Sequence, residues 1–323
     1  MLKVAMLSQW HVHAKGYANE FNQSGRAKIV AVWDEEPERG KAFAESLDCP
    51  FYENLDELLA SDIDAVCVTT PTTMHRDVIA KAVKAGKHIF TEKALEVTVE
   101  ETEALAKEIA NSDKTFGISY PHKTNPVYRY IKARIAEGAF GKLSLIRYRN
   151  AHNGVSGNWL PEYWFDGTKS GGGAMMDLGC HGMYFLCDIG GKPKRISALF
   201  NQFYGTGLDE NAICTVEFEN GTIGVNETSF ISYSAPCVVE IYGTEGSLIA
   251  VGDQITFNSE FYKGKEIPAL DKTPVESPIE RFITACEKGE KYPAEMGLEE
   301  AVALTVLLDN AYKADEANKI VVL

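Results

Sequence analysis

The sequence is 323 residues long, 45% hydrophobic and 24% charged, with a formal net charge of -14. That length exceeds what one hydrophobic core normally serves, so two domains are expected. The acidic balance, with no block of Lys and Arg, excludes a general phosphate-backbone binder, and no stretch approaches the ~18 apolar residues of a membrane span.

The seven cysteines (Cys49, Cys67, Cys180, Cys187, Cys214, Cys237 and Cys286) are odd in number, scattered and without a CxxC pair, which fits reduced thiols in a cytoplasmic protein. They form no cluster at zinc-ligand spacing, so no metal is expected. The apolar start, Met1 to Leu7, is too short for a signal-peptide core and is expected to be a first strand.

Taken in chain order, short β-rich runs at 3–7, 28–33, 65–69 and 88–90 alternate with helical patterns at 14–23, 37–47, 55–60, 75–85 and 99–111. Such a series is a Rossmann-like α/β domain, a parallel sheet with helices on both faces. Another strand is expected at 115–119 and a helix at 125–137, ended by Gly138.

From 143 the texture becomes alternating strands, at 143–149, 196–202, 211–217, 222–230 and 238–242, with turn pairs Asn220-Gly221 and Glu245-Gly246. Helices are expected at 174–189, 278–286 and 298–317, and a last strand at 320–323. The expected organisation is therefore a dinucleotide-binding domain over 1–122 and an α+β domain over 123–323 with a large, mostly antiparallel sheet. The second domain is expected to supply substrate, catalytic and oligomerisation surfaces. A sheet covered by helices on one face leaves the other to be buried, so a homodimer or homotetramer through that sheet is expected.

A dinucleotide site of this kind normally carries G-x-G-x-x-G after the first strand. Here the run is Ser8-Gln9-Trp10-His11-Val12-His13, with Ser8, Trp10 and His13 in the glycine slots. Asp34 ends the second strand, where a carboxylate either accepts from a ribose diol, favouring NAD over NADP, or caps the helix entered at Pro37. Thr70, Pro71 and His75 follow the third strand, with Thr72 or Thr73 as an alternative helix cap, and Glu92-Lys93 end the fourth.

These residues carry a resemblance that covers nearly the whole chain. Asp34 through Pro37-Glu38-Arg39, Thr70-Pro71 with His75, Glu92-Lys93-Ala94, the run from Gly171 to His181, and Tyr242-Gly243-Thr244-Glu245-Gly246 are similar, in order, to motifs of the glucose-fructose oxidoreductase, inositol dehydrogenase and rhizopine-catabolism (Gfo/Idh/MocA) family. The sequence departs from that pattern in the glycine fingerprint and in Ala94, which stands where proline is usual.

The resemblance implies an NAD-dependent oxidoreductase acting on the carbinol or carbonyl of a sugar, cyclitol or related polyhydroxy compound, with Lys93, Asp177 and His181 as the catalytic group. It implies cofactor contacts from Ser8, Gln9, Trp10, His11, Val12, Asp34, Thr70, Pro71, His75, Glu92 and Lys93. Lys93 as ammonium suits a developing alkoxide, or is half of an ion pair with Glu92. His181 suits proton transfer near neutral pH, and Asp177, four residues earlier, shares its helix face. Tyr120, His152 and Trp159 are candidate substrate contacts. A non-catalytic sensor on the same fold and an NAD-assisted glycosidase are the alternatives.

Overall fold

The computed structural model describes all residues from 1 to 323. The elements are, in chain order, β1 (Leu2–Leu7), α1 (Ala14–Gln23), β2 (Ala27–Trp33), α2 (Pro37–Ser46), β3 (Phe51–Tyr52), α3 (Leu55–Ala60), β4 (Ala65–Val68), α4 (His75–Lys84), β5 (His88–Thr91), α5 (Val99–Ala110) and β6 (Phe116–Ile118). They continue as α6 (Pro126–Ala136), β7 (Leu143–Ala151), α7 (Gly167–Ser170), α8 (Cys180–Gly190), β8 (Pro193–Asn201), β9 (Asn211–Phe218), β10 (Ile223–Ser229), β11 (Val238–Gly243), β12 (Gly246–Val251), β13 (Gln254–Ser259), α9 (Pro278–Lys288), α10 (Leu298–Ala317) and β14 (Val321–Val322).

The first compact unit comprises residues 1–121 and 276–305. Its six strands run in the order β3-β2-β1-β4-β5-β6, all parallel. The order reverses between β1 and β4, so the loops leaving their carboxyl ends diverge and open the crevice where ligands bind in such sheets. β1 and β4 are buried almost throughout, as expected of strands covered on both faces.

The chain boundary expected at 122/123 does not include the return of 276–305 to this unit. The reason is apolar burial. Phe282 on α9 meets Phe21 of α1 at 6.3 Å and Phe90 of β5 at 5.5 Å, and all three rings are essentially buried. α9 itself is legible locally: Ser277 and Glu280 form a capping box, Pro278 opens the helix and Gly289, at φ 65°, ends it.

The second unit comprises residues 122–275 and 306–323. Its eight strands run β13-β12-β11-β7-β10-β9-β8-β14, with a single parallel pair, β7 with β10. β12 and β13 extend this sheet beyond the strands expected from sequence. Alternation is regular: Ala212, Cys214, Val216 and Phe218 of β9 face inward, while Ile213, Thr215 and Glu217 face outward. The inner face packs on α8, whose residues from Cys180 to Leu186 are all buried. None of the seven cysteines forms a disulfide. No helix is long and apolar enough to cross a membrane.

Candidate active site

In the first unit, the loop after β1 builds without glycine the turn that glycine normally makes. Ser8 is fully buried at φ 79°, a left-handed backbone that costs an L-residue roughly 1–2 kcal/mol. Local bonds offset that strain. Ser8 Oγ accepts from Trp10 N at 3.0 Å, Ser8 O accepts from Thr69 Oγ1 at 2.7 Å, and Thr69 O accepts from His11 N at 3.1 Å. Trp10, in the second glycine slot, buries its ring at 2% exposure, whereas Val12 is exposed.

Asp34 lies at the end of β2 and is filled on both oxygens. Oδ2 accepts from Gln9 N at 2.8 Å and Arg39 Nε at 3.0 Å, while Oδ1 accepts from Glu36 N at 2.8 Å and from Arg39 Nη2. Arg39 also pairs with Glu35, so two carboxylates share one guanidinium and the cluster keeps a net negative charge. Asp34 therefore braces both the β1 loop and the entry to α2. A second acid beside it was not expected from sequence; burial, then the Asp34 charge, pushes the Glu35 carboxyl up.

At the end of β4, Thr70 and Pro71 are buried, and Thr70 Oγ1 has no hydrogen-bond partner. A buried hydroxyl without a partner at the carboxyl edge of a parallel sheet is what a bound ligand's polar group would satisfy, so this edge fits a dinucleotide. His75, expected among the cofactor contacts, is instead placed as a brace. Its Nδ1–H donates to the Ala94 carbonyl at 2.9 Å, and Nε2 lies 3.2 Å from the Thr70 carbonyl. Burial pushes its pKa down, which keeps it neutral.

Glu92 and Lys93 end β5 at 1% and 4% exposure. Burial disfavours the Glu92 charge, but His11, His13 and Lys93 outweigh it and hold the carboxyl well below its usual range. His13 Nδ1–H donates to Glu92 Oε1 at 2.7 Å, the Lys93 amide donates to Oε2 at 3.0 Å, and Tyr17 donates to Oε1 as well. Tyr120 is fully buried with its hydroxyl 3.4 Å from the Glu300 carbonyl, a packing position rather than the substrate contact expected.

In the second unit, the glycine run 171–173 lets the chain close tightly on Asp209. A Cβ on Gly173 would lie 2.1 Å from the Asp209 carbonyl oxygen. The Asp209 carboxylate accepts from Gly173 N at 2.8 Å, Met175 N at 2.7 Å and the Tyr312 hydroxyl at 2.8 Å, so it satisfies the first amides of the helix beyond. That helix opens with a π-helical turn, Met175–Gly179, and continues as α8. Such turns recur where a side chain must be re-aimed. The turn carries Asp177, and α8 carries His181.

His181 is 5% exposed; its Nδ1 is hydrogen-bonded to the Tyr184 hydroxyl at 2.9 Å, and its ring stacks on His122 at 4.1 Å and 18°. His122 Nδ1 is bonded to the Tyr148 hydroxyl at 2.7 Å, and His122 N donates to Tyr184 at 3.3 Å. Asn226 Nδ2 donates to the Gly179 carbonyl at 2.7 Å and pins the π-turn to the sheet. His152 stacks on Phe230 at 5.2 Å and tilts against half-exposed Trp159 at 4.6 Å, an aromatic wall in this unit. Burial pushes the His152 pKa down, partly countered by Asp177. A cavity of about 500 Å³ lies alongside, lined by His122, Asn125, Tyr128, Tyr148, Asn150 and Cys237.

Sequence reasoning missed Tyr17, Arg39, Tyr184, Asp209 and Asn226. Tyr17 and Tyr184 had a signal, since each follows a site histidine by one helical turn. Asp209 and Asn226 had none, because only the fold of the large sheet and the loop before β9 brings them to the π-turn.

Residues 11–120 match the model of an oxidoreductase family with an NAD-binding Rossmann fold, and residues 128–249 match the Gfo/Idh/MocA C-terminal domain. The chain is 30% identical over 233 residues to scyllo-inositol 2-dehydrogenase (NAD(+)) of Bacillus subtilis, covering 69% of this chain and 66% of that protein. It is 25% identical over 301 residues to inositol 2-dehydrogenase of Rhizobium meliloti, covering 86% of each. Its fold superposes on a levoglucosan dehydrogenase in complex with NADH and levoglucosan with a TM-score of 0.81 and 20% identity, covering 100% of this chain and 99% of that one. The protein belongs to the Gfo/Idh/MocA oxidoreductase family, with an NAD-binding Rossmann domain at its N-terminus.

Proposed function

We propose that the protein moves hydride between NAD and a carbinol or carbonyl of a sugar, cyclitol or related polyhydroxy compound. The observation that carries this reading is the preparation of His181. Asp209 and Asn226 fix the helix that bears it, Tyr184 occupies Nδ1, and His122 covers one ring face. With Nδ1 committed to Tyr184, Nε2 is the nitrogen assigned to proton exchange with a substrate hydroxyl.

NAD, when bound, supplies C4 of its nicotinamide as the hydride acceptor or donor. In the oxidative direction the carbinol C–H leaves as hydride, the O–H proton passes to His181 Nε2, and the carbonyl forms. The Lys93 ammonium is assigned the reacting oxygen, where it stabilises developing alkoxide charge. Asp177 is assigned the substrate hydroxyls and the field at His152. His152 and Trp159 offer ring faces to the apolar side of a sugar. The net negative charge of Asp34, Glu35 and Arg39 supports NAD over NADP, since it opposes a 2′-phosphate.

Two further features belong to this proposal. The outward face of the large sheet exposes Leu199, Ile213, Ile249 and Val251, which supports a homo-oligomer formed through that face. Seven cysteines without a disulfide suit a reducing, cytoplasmic compartment.

The test is turnover of NAD with a panel of polyols and cyclitols, alongside thermal unfolding with and without NAD and NADH. Lys93→Ala is expected to abolish turnover while NAD still raises the unfolding temperature, since bound ligand at ~100 times its Kd contributes about 2.7 kcal/mol. Full turnover in Lys93→Ala would sink the assignment of Lys93.

A further inference from the structure

His11 and His13, in the loop that replaces the glycine fingerprint, converge with Glu92 at the end of β5. One donor atom from each lies within 4.8 Å of the others. Glu92 Oε1 is 2.7 Å from His13 Nδ1 and 3.5 Å from His11 Nδ1. His11 and Glu92 are buried, whereas the His13 side chain is 44% exposed.

We propose that His11 Nδ1, His13 Nδ1 and Glu92 Oε1 form a three-ligand site for a divalent transition metal, zinc by its donor chemistry, with a fourth position open. Two imidazoles and one carboxylate are a zinc donor set, and three protein ligands with an open position are the arrangement of reactive rather than purely structural zinc. The spacing suits it. Zinc bonds of about 2.0–2.2 Å in tetrahedral geometry place donor atoms about 3.3–3.6 Å apart, so the 3.5 Å His11–Glu92 separation fits as it stands and the 2.7 Å His13–Glu92 separation has to widen. Half-exposed His13 supplies the remaining adjustment by turning its ring, and gives the ion its way in.

The protonation pattern is compatible with metal capture. His11 Nδ1 faces the His13 amide at 3.2 Å and Glu92 Oε1 at 3.5 Å, and a metal takes the lone pair that the neutral ring offers there. The proton His13 Nδ1 shares with Glu92 is the one a metal displaces. Glu92 Oε2 is held by the Lys93 amide at 3.0 Å, and Oε1 is the oxygen that faces both histidines. Outer partners are in place as well: the Tyr17 hydroxyl donates to Glu92 Oε1 and meets Ser119 Oγ at 2.7 Å. The Tyr17 hydroxyl thereby orients the carboxylate as an outer partner. Two of the ligands, His11 and Glu92, are residues that the family resemblance assigns to the cofactor, but metal binding is read directly and fails or holds separately from the dehydrogenase reading.

The experiment uses the full-length protein stripped with a chelator and titrated with Co²⁺, following its visible ligand-field absorption, then with Zn²⁺ by calorimetry. The expected result is one saturable site per chain, a four-coordinate Co²⁺ spectrum displaced by Zn²⁺, and binding weakened at least about 100-fold in His11→Ala, His13→Ala and Glu92→Gln. His13 is half-exposed, so its variant removes a ligand without opening the core, and circular dichroism confirms the fold. Absence of saturable Co²⁺ or Zn²⁺ binding by the folded wild type, or unchanged binding in His13→Ala, overturns the proposal and leaves the cluster a hydrogen-bonded network.

Discussion

His122 stacks on His181 with ring centroids 4.1 Å apart and 18° between planes, and the backbone amide of His122 donates to the same Tyr184 hydroxyl that holds His181 Nδ1. His122 touches the proton-transfer group from two directions, so it is a positioning residue. His122→Ala is expected to lower kcat by roughly 10- to 100-fold, since small misplacements of a proton-transfer group carry costs of this order. KM should change less, and the pH profile of kcat should shift with the lost stacking. Unchanged kcat and pH profile would reduce His122 to packing.

Asp34 is expected to govern cofactor preference through Arg39. Asp34→Ala removes one negative charge and leaves the Arg39 guanidinium to Glu35 alone, so the ratio of NAD to NADP affinity should move toward NADP by about tenfold, or about 1.4 kcal/mol. Arg39→Ala keeps both carboxylates and should still refuse NADP. Calorimetric Kd values for the two dinucleotides check this, and an unaltered ratio in Asp34→Ala would leave it a turn residue.

Gly173→Ala forces a methyl to within 2.1 Å of a backbone oxygen, which cannot turn away as a side chain could. The expected loss is about 2 kcal/mol or more, read from denaturant unfolding. Turnover should fall further than folding does, because the displaced helix start carries Asp177 and leads to His181. Wild-type stability in this variant would show that the 171–173 turn can relax.

Glu96 gives a pH dependence. Burial pushes its carboxyl to about 7 from the ordinary 4.5. The folded state therefore holds a proton that the unfolded chain releases. Its stabilisation is complete below pH 4.5 and is lost as pH rises through about 7. Glu96→Gln should gain on the wild type as pH increases, by up to about 3 kcal/mol between about pH 4.5 and 8. Denaturant unfolding of both proteins across that range checks the slope, and a constant difference would contradict it.

The amino-acid sequence by itself determined the alternation of strand and helix in the first unit, the capped starts of α6 and α9, and the glycine run before Asp177. These are local effects: apolar period, N-cap side chains and glycine act within a few residues, and they read the same before and after folding. Only the tertiary structure decided that Asp34 is filled by Arg39, that Tyr120 is core, that His75 braces two carbonyls, and that Asp209, Asn226 and Glu92, on or beside strands far along the chain, meet their partners. Each depends on strand order, and sheet pairing joins residues by register rather than by distance in sequence.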